Sequence, residues 1–138
     1  MTTDDGYRRG RHVVSALHVH LVFVTKYRRG VFNAEMIERC AQIMRDVCDD
    51  FGALLVEFNG EDDHVHLLIE YPPKVAVSAL VNSLKGVSAR LLRSEFTGHV
   101  NQHSMRGHFW SPSYFAVSAG GTPPSILREY IEGQRRPA

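Results

Sequence analysis

Apolar residues along this chain recur at two intervals, every second residue and roughly every 3.6. The order in which those intervals alternate leaves few folds available. Over 12–27 the interval is two. Val13, Leu17, Val19, Leu21 and Phe23 fall on one side of an extended chain, which predicts a long strand with one apolar face. Over 33–51 the spacing of Met36, Ile37, Cys40, Ile43, Met44, Val47 and Phe51 is helical, with Asn33 placed to cap the start and Gly52 to supply a left-handed stop. Residues 54–58 and 64–71 return to strand character, joined by a turn at Asn59-Gly60. The second ends at Pro72-Pro73, which cannot continue a ladder. Val77, Leu80, Val81, Leu84, Val87, Leu91 and Leu92 make a second amphipathic helix closing near Phe96. A polar loop over 97–107 leads to a fourth strand over 109–118, where Pro112 marks an edge or a bulge. Gly120-Gly121 breaks the chain, and Thr122 caps a last helix that runs to about Arg135 with Pro123 in its first turn.

The order β-α-β-β-α-β plus a terminal helix predicts an α+β fold. It is the split βαβ arrangement (ferredoxin-like, RRM-like): a four-stranded antiparallel sheet with two helices on one face, the first and third strands central, plus a C-terminal tyrosine-bearing helix. The other sheet face is expected to stay open unless something covers it, and open faces of this kind bind nucleic acid in RNA-recognition modules. The 138 residues make one domain, 1–138, with 1–11 expected to be flexible and 120–138 expected to form a mobile helix. An apolar share of 43% and a charged share of 22% exclude a disordered chain. Cys40 and Cys48, eight apart in one helical run, read as buried thiols on one helix face and suit a reducing cytosol. No leader-like apolar stretch opens the sequence, and no run approaches the roughly 20 apolar residues of a membrane span. Secreted, disulfide-rich and membrane-spanning classes are therefore not expected.

Net charge is only +1, but it is segregated. Residues 1–29 carry six Arg or Lys against two Asp, 30–63 carry two Arg against nine acidic residues, and 64–138 carry eight Arg or Lys against four Glu. Such blocks suit either one basic and one acidic working face or two solvated surfaces.

His64-Val65-His66 lies on the third, central strand. Alternation sends both imidazoles to one face, about 6–7 Å apart at the backbone, where two rings can converge on one divalent ion. Glu61, Asp62 and Asp63 just before them offer a carboxylate to hold a ring nitrogen. A second pair, His18-Val19-His20, sits among apolar neighbours and reads as structural or supporting. On the last helix Tyr130 and Gln134 stand one turn apart on the same side. A tyrosine can be a nucleophile and a glutamine carbonyl a metal ligand, while Tyr130 among Ile126, Leu127 and Ile131 equally suits a core aromatic. Lys26, Arg28 and Arg29 leave the first strand together and suit phosphate contact. Lys85 and Arg90 lie on the polar side of the second helix, where plain solvation is one reading.

Taken together, these stretches resemble the HUH endonucleases, and among them the single-tyrosine transposases of small bacterial insertion sequences, the transposase A family. The resemblance covers about residues 18–135. It rests on His20-Leu21-Val22-Phe23 running into Lys26-Tyr27-Arg28-Arg29 and Phe32; on Asp63-His64-Val65-His66-Leu67; on Pro72-Pro73-Lys74; on Ser83-Leu84-Lys85-Gly86 with Ser88; on Phe109-Trp110 with Ser113-Tyr114-Phe115; and on Tyr130-Ile131 with Gln134.

The resemblance implies a transposase that cleaves and rejoins single-stranded DNA at element ends bearing subterminal hairpins. It implies His64, His66 and Gln134 as ligands of Mg²⁺ or Mn²⁺, Tyr130 as the nucleophile that forms a 5′-phosphotyrosine, and Lys85 and Arg90 as residues that flank the hairpin. It further implies a homodimer with the tyrosine helix exchanged in trans, and a cytoplasmic bacterial or archaeal protein, nucleoid-associated when on DNA. Two alternatives stay open: a domesticated repeat-hairpin endonuclease of the same family, and a non-catalytic RNA-binding module on the same fold. A basic-aromatic run on the third strand would mark the latter, and His64-Val65-His66-Leu67 stands in its place.

Overall fold

The computed structural model describes residues 7–103, 107–118 and 131–133. The chain opens on a two-stranded ribbon, β1 (Arg8–Arg9) and β2 (Val14–Ser15), followed by β3 (His18–Val24) and a single 3₁₀ turn, Lys26–Arg28. Then come α1 (Ala34–Asp50), β4 (Leu54–Gly60), β5 (His64–Glu70), α2 (Val77–Glu95), a short α3 (Thr97–Gln102) and β6 (Phe115–Ser118). The sheet order is β4-β5-β3-β6 with every pair antiparallel, so the first and third long strands are central and the fold is split βαβ.

The two faces of the sheet are fixed by alternation along β3 and β5. Val19, Leu21 and Phe23 with Val65, Leu67 and Ile69 form one face. Against it α1 packs Met36, Cys40, Ile43 and Met44, and α2 packs Leu80, Val81, Leu84 and Leu92. The Asn33 side chain accepts the Met36 N–H at 2.9 Å, capping α1 as its sequence predicts, and Gly52 ends that segment at φ +69°. Cys40 and Cys48 are free and buried, and burial pushes both thiols up to about 12. No described helix is long and apolar enough to cross a membrane.

Several expectations give way to local chemistry. The long strand over 12–27 is two pieces: the ribbon at 8–15, then β3 from His18, with Val13 and Leu17 exposed rather than on the apolar face. Asn59 and Gly60 belong to β4 and pair with His66 and Val65, so the turn falls at 61–63, where Glu61 N–H donates to His64 O at 2.8 Å. The polar stretch over 97–107 contains α3, held by Val100, which is buried in the core. The fourth strand is confined to Phe115–Ser118, because the 109–112 segment makes only one bridge, Trp110 to Thr25, before Pro112 interrupts it. The Gly120-Gly121 break and the helix from Thr122 to Arg135 lie outside the described residues apart from 131–133, which are helical.

The second face of the sheet is not open. It carries His18, His20, Val22 and Val24 on β3 beside Glu70, Leu68, His66 and His64 on β5. Val22 and Val24 are fully buried there. At one end of that face the ribbon supplies Arg8, whose Nε donates to Glu70 Oε1 at 2.6 Å while Nη2 meets Oε2. Glu70 is 1% exposed, and the hydrogen bond and charge of Arg8 outweigh burial and hold its carboxyl below the usual range. Replacing Arg8 by Ala leaves an unpaired buried carboxylate, so the Arg8→Ala variant should lose about 3 kcal/mol of stability at pH 7 by urea denaturation. A carboxyl whose pKa is depressed in the fold stabilises above its unfolded value and loses that contribution as pH falls through the folded value. The deficit should therefore shrink below about pH 4. A deficit that is constant with pH would contradict the ion pair.

Candidate active site

His64 and His66 stand where the alternation of β5 puts them, on the face opposite the helices. Their ring centroids are 4.9 Å apart with planes at 74°. His20 on β3 lies 5.7 Å from His66, so three imidazoles form a row across the two central strands. Burial, then the neighbouring His64 and His20, push His66 down to about 4 and keep it neutral at physiological pH, the form that can ligate a cation.

The turn before β5 orients His64. Asp63 Oδ1 lies 2.7 Å from His64 Nδ1, and Arg28 Nε donates to Asp63 Oδ2 at 2.8 Å. Burial alone would raise Asp63, but hydrogen bonds from His64 and Arg28 win and hold its carboxyl below its usual range. An ionised carboxylate only accepts, so Nδ1 carries the proton of that bond and Nε2 is the nitrogen left to ligate a cation. That nitrogen lies 3.7 Å from Glu61 Oε2. Of the three acidic residues before the pair, Asp63 holds the ring. Asp62 instead accepts the Phe32 N–H through its backbone carbonyl at 3.0 Å.

The segment after β3 is anchored to the same turn. Thr25 is fully buried; its N–H donates to Asp63 O at 2.9 Å, and its hydroxyl lies 2.7 Å from Arg29 O and 3.2 Å from Asp63 O. Tyr27 and Arg28 take φ of 59° and 54°, left-handed values that are costly for residues with a side chain and persist only where their surroundings impose them. The turn leaves Tyr27 44% exposed, with Lys26 Nζ 5.3 Å and Arg29 Cζ 5.8 Å from its ring centroid. Lys26 and Arg29 thus stay together at the Tyr27 ring, while Arg28 reaches Asp63.

The other expected cations part company. Lys85 Nζ donates to Ser111 O at 2.7 Å and lies 5.8 Å from the Tyr114 ring, and burial lowers its pKa. Arg90 is exposed on α2. Tyr130 and Gln134 lie outside the described residues.

Two imidazoles, one kept neutral by burial and the other fixed at Nδ1 by a carboxylate, fit a divalent cation as two of its ligands. Among the described residues no group of three His, Cys, Asp or Glu side chains is poised to hold a metal.

The family described as Transposase IS200 like matches residues 13–134, which span both central strands, the histidine pair and both long helices. The chain belongs to the IS200-like transposases. It is 31% identical over 127 residues to the ISDra2 transposase TnpA of Deinococcus radiodurans, covering 92% of this chain and 90% of that relative. It is 33% identical over 115 residues to the transposase for insertion sequence element IS200 of Salmonella typhimurium, covering 83% and 74%. A crystal structure from Deinococcus radiodurans assigned as a transposase superposes with a TM-score of 0.86 at 34% identity, covering 94% of this chain and 99% of that one. A REP-associated tyrosine transposase solved with a REP hairpin shares the fold, at a TM-score of 0.53 and 10% identity over 91% of this chain and 68% of that one. As an IS200-like transposase the chain is an enzyme that cleaves and transfers DNA.

Sequence reasoning left open which carboxylate would support the histidines, and it counted Arg28 among surface cations. The Asp63-His64 adjacency carried the first signal. Nothing local carried the second, because Arg28 reaches Asp63 only through the left-handed turn. If Asp63 fixes the His64 tautomer, the Asp63→Ala variant should bind Mn²⁺ about tenfold to a hundredfold more weakly by calorimetric titration. Unchanged affinity would detach the carboxylate from the ligand nitrogen.

Proposed function

We propose that this chain cleaves and rejoins single-stranded DNA at hairpin-bearing element ends, with Tyr130 as nucleophile and His64, His66 and Gln134 as ligands of Mg²⁺ or Mn²⁺. The observation that carries this reading is the braced pair: two adjacent imidazoles on a central strand, one neutral through burial and the other held at Nδ1 by Asp63. A divalent ion bound there supplies charge withdrawal from a non-bridging phosphate oxygen.

The rest of the chemistry belongs to the chain. A free tyrosine ionises near 10 and is mostly protonated at neutral pH, so its phenol proton must leave to solvent or a base as the oxygen attacks. The phenolic oxygen of Tyr130 bonds to phosphorus, the bond from phosphorus to the 3′ oxygen breaks, and that oxygen takes up a proton. The products are a 5′-phosphotyrosine and a free 3′-hydroxyl. Phosphodiester energy is conserved in the covalent bond, so a 3′-hydroxyl from another end can reverse the step without ATP. Lys26 and Arg29 at the edge of the site, with Lys85 and Arg90 on α2, are proposed to contact backbone phosphates; Arg28 contributes by steadying Asp63.

Joining two ends requires two sites close together, which a symmetric homodimer supplies. Gly120-Gly121 before the last helix admit backbone angles closed to other residues, and Pro123-Pro124 stiffen its entry. We infer that the Tyr130 helix docks on the partner subunit.

Incubation with labelled single-stranded hairpin DNA and Mg²⁺ should give a covalent protein–DNA adduct on a denaturing gel. Tyr130→Phe should abolish that adduct while leaving hairpin binding intact. His64→Ala or His66→Ala should abolish cleavage, and Gln134→Ala should weaken its metal dependence less completely. A full adduct from the Phe variant would move the nucleophile to Tyr27, Tyr71 or Tyr114.

Exchange of the helix has its own test. Mixing Tyr130→Phe with a His64→Ala, His66→Ala double variant should restore cleavage, because one hybrid site then holds an intact pair and an intact tyrosine. A mixture that stays inactive although mixed dimers form would place each site within a single chain.

A further inference from the structure

Lys85, Ala89 and Arg93 follow one another at four-residue intervals, so they form one stripe along α2. That stripe faces the segment 107–112 across a cavity of about 240 Å³. The cavity is bordered by Lys85, Arg93 and His108, and no carboxylate lines it among the described residues. Gly86 and Gly107 open it, since a Cβ built at either would meet nothing within 4 Å. Behind it Phe109 and Trp110 are buried, and the Trp110 indole N–H donates to Ser88 Oγ at 3.0 Å, fixing that wall.

Two features of this cavity are not explained by folding alone. Arg93 borders the cleft with a guanidinium whose Nη2 atom, shut off from solvent, has no hydrogen-bond partner, so that nitrogen is not tied to a neighbour. Lys85 borders the same cleft with its amine fixed on the Ser111 carbonyl at 2.7 Å, so its charge is positioned before any ligand arrives. Two cations, Lys85 and Arg93, on a cleft with no carboxylate among its described lining residues match an oxyanion with several acceptor oxygens.

We propose that this cleft is a phosphate-binding subsite in which Arg93, with Lys85 and His108, holds one backbone phosphate of the DNA strand. The proposal rests on the DNA-cleaving reading above and adds Arg93 and His108 to the surface that reading uses. The 109–111 segment connects the subsite to the histidine face. Its Phe109 carbonyl accepts the Lys26 N–H at 3.1 Å, its Ser111 N–H donates to Val24 O at 2.8 Å, and Val24 pairs with His64. A phosphate fixed in the cleft is thereby held against the same backbone that carries the site.

The test is fluorescence anisotropy of a labelled single-stranded oligonucleotide that folds into one hairpin, titrated over a sodium chloride series in EDTA so that no strand is cut. Arg93→Gln should weaken binding about tenfold and lower the slope of log affinity against log salt by about 0.7, the loss of one single-stranded phosphate contact. Gly86→Leu fills the cleft without touching a charge, at an exposed helical position where leucine is the better helix former, and should produce the same two changes. Arg45→Gln, on the exposed side of α1, should produce neither. If Arg93→Gln and Gly86→Leu both bind like the unaltered protein, or only one of them differs, the subsite is refuted while the DNA-cleaving reading stands. If the unaltered protein fails to bind the hairpin at all, both fall together.

Discussion

The Asp63 carboxylate is the contact on which the rest of the site depends. One oxygen receives Arg28 from the turn after β3, and the other holds His64 at the start of β5. A single buried group thus joins the edge of one central strand to the first ligand of the other. Its burial would favour the neutral acid, and two donors on opposite sides keep it ionised instead. The left-handed residues Tyr27 and Arg28 are the backbone cost of bringing that guanidinium inward.

The sheet makes this possible by being two-sided. One face of β3 and β5 is given wholly to the helices, and its apolar core fixes the register of the pair. A one-residue slip would turn His64 and His66 into that core and Val65 and Leu67 out of it. Register, and with it the position of the imidazoles, is therefore enforced by hydrophobic packing that has no part in the chemistry. The ion pair between Arg8 and Glu70 closes the far end of the same face, which leaves the histidine end as its polar part.

Much of this was legible in the sequence. Periodicity alone gave both long helices, the central strands and the face that carries His64 and His66, because each of those elements has a sustained apolar stripe and clear stops at Asn33, Gly52 and Pro72. The misreadings came where the pattern is local. Leu17 and Val13 continue the alternation of β3 by spacing, yet the chain bends away before them to form the ribbon. Asn59-Gly60 carries turn residues but is held in the ladder by β5, and the turn falls on three acidic residues instead. The cover over the second sheet face was not legible, since Arg8 and Glu70 are 62 positions apart and nothing in either neighbourhood announces the other. Arg93 was invisible for the same reason. It reads as one more helical cation until its Nη2 atom is found buried without a hydrogen-bond partner.

The central claim is that the fold holds a proton on His64 Nδ1 and leaves Nε2 to ligate a cation beside a neutral His66. Nitrogen-15 NMR of histidine-labelled protein at neutral pH reads this directly, since the two tautomers give different ring-nitrogen shifts. The account predicts the Nδ1–H form for His64 and a neutral ring for His66. It also predicts that substoichiometric Mn²⁺ broadens the resonances of both rings before those of His99 or His103. A His64 ring protonated on Nε2, or Mn²⁺ broadening that spares the pair, would contradict it.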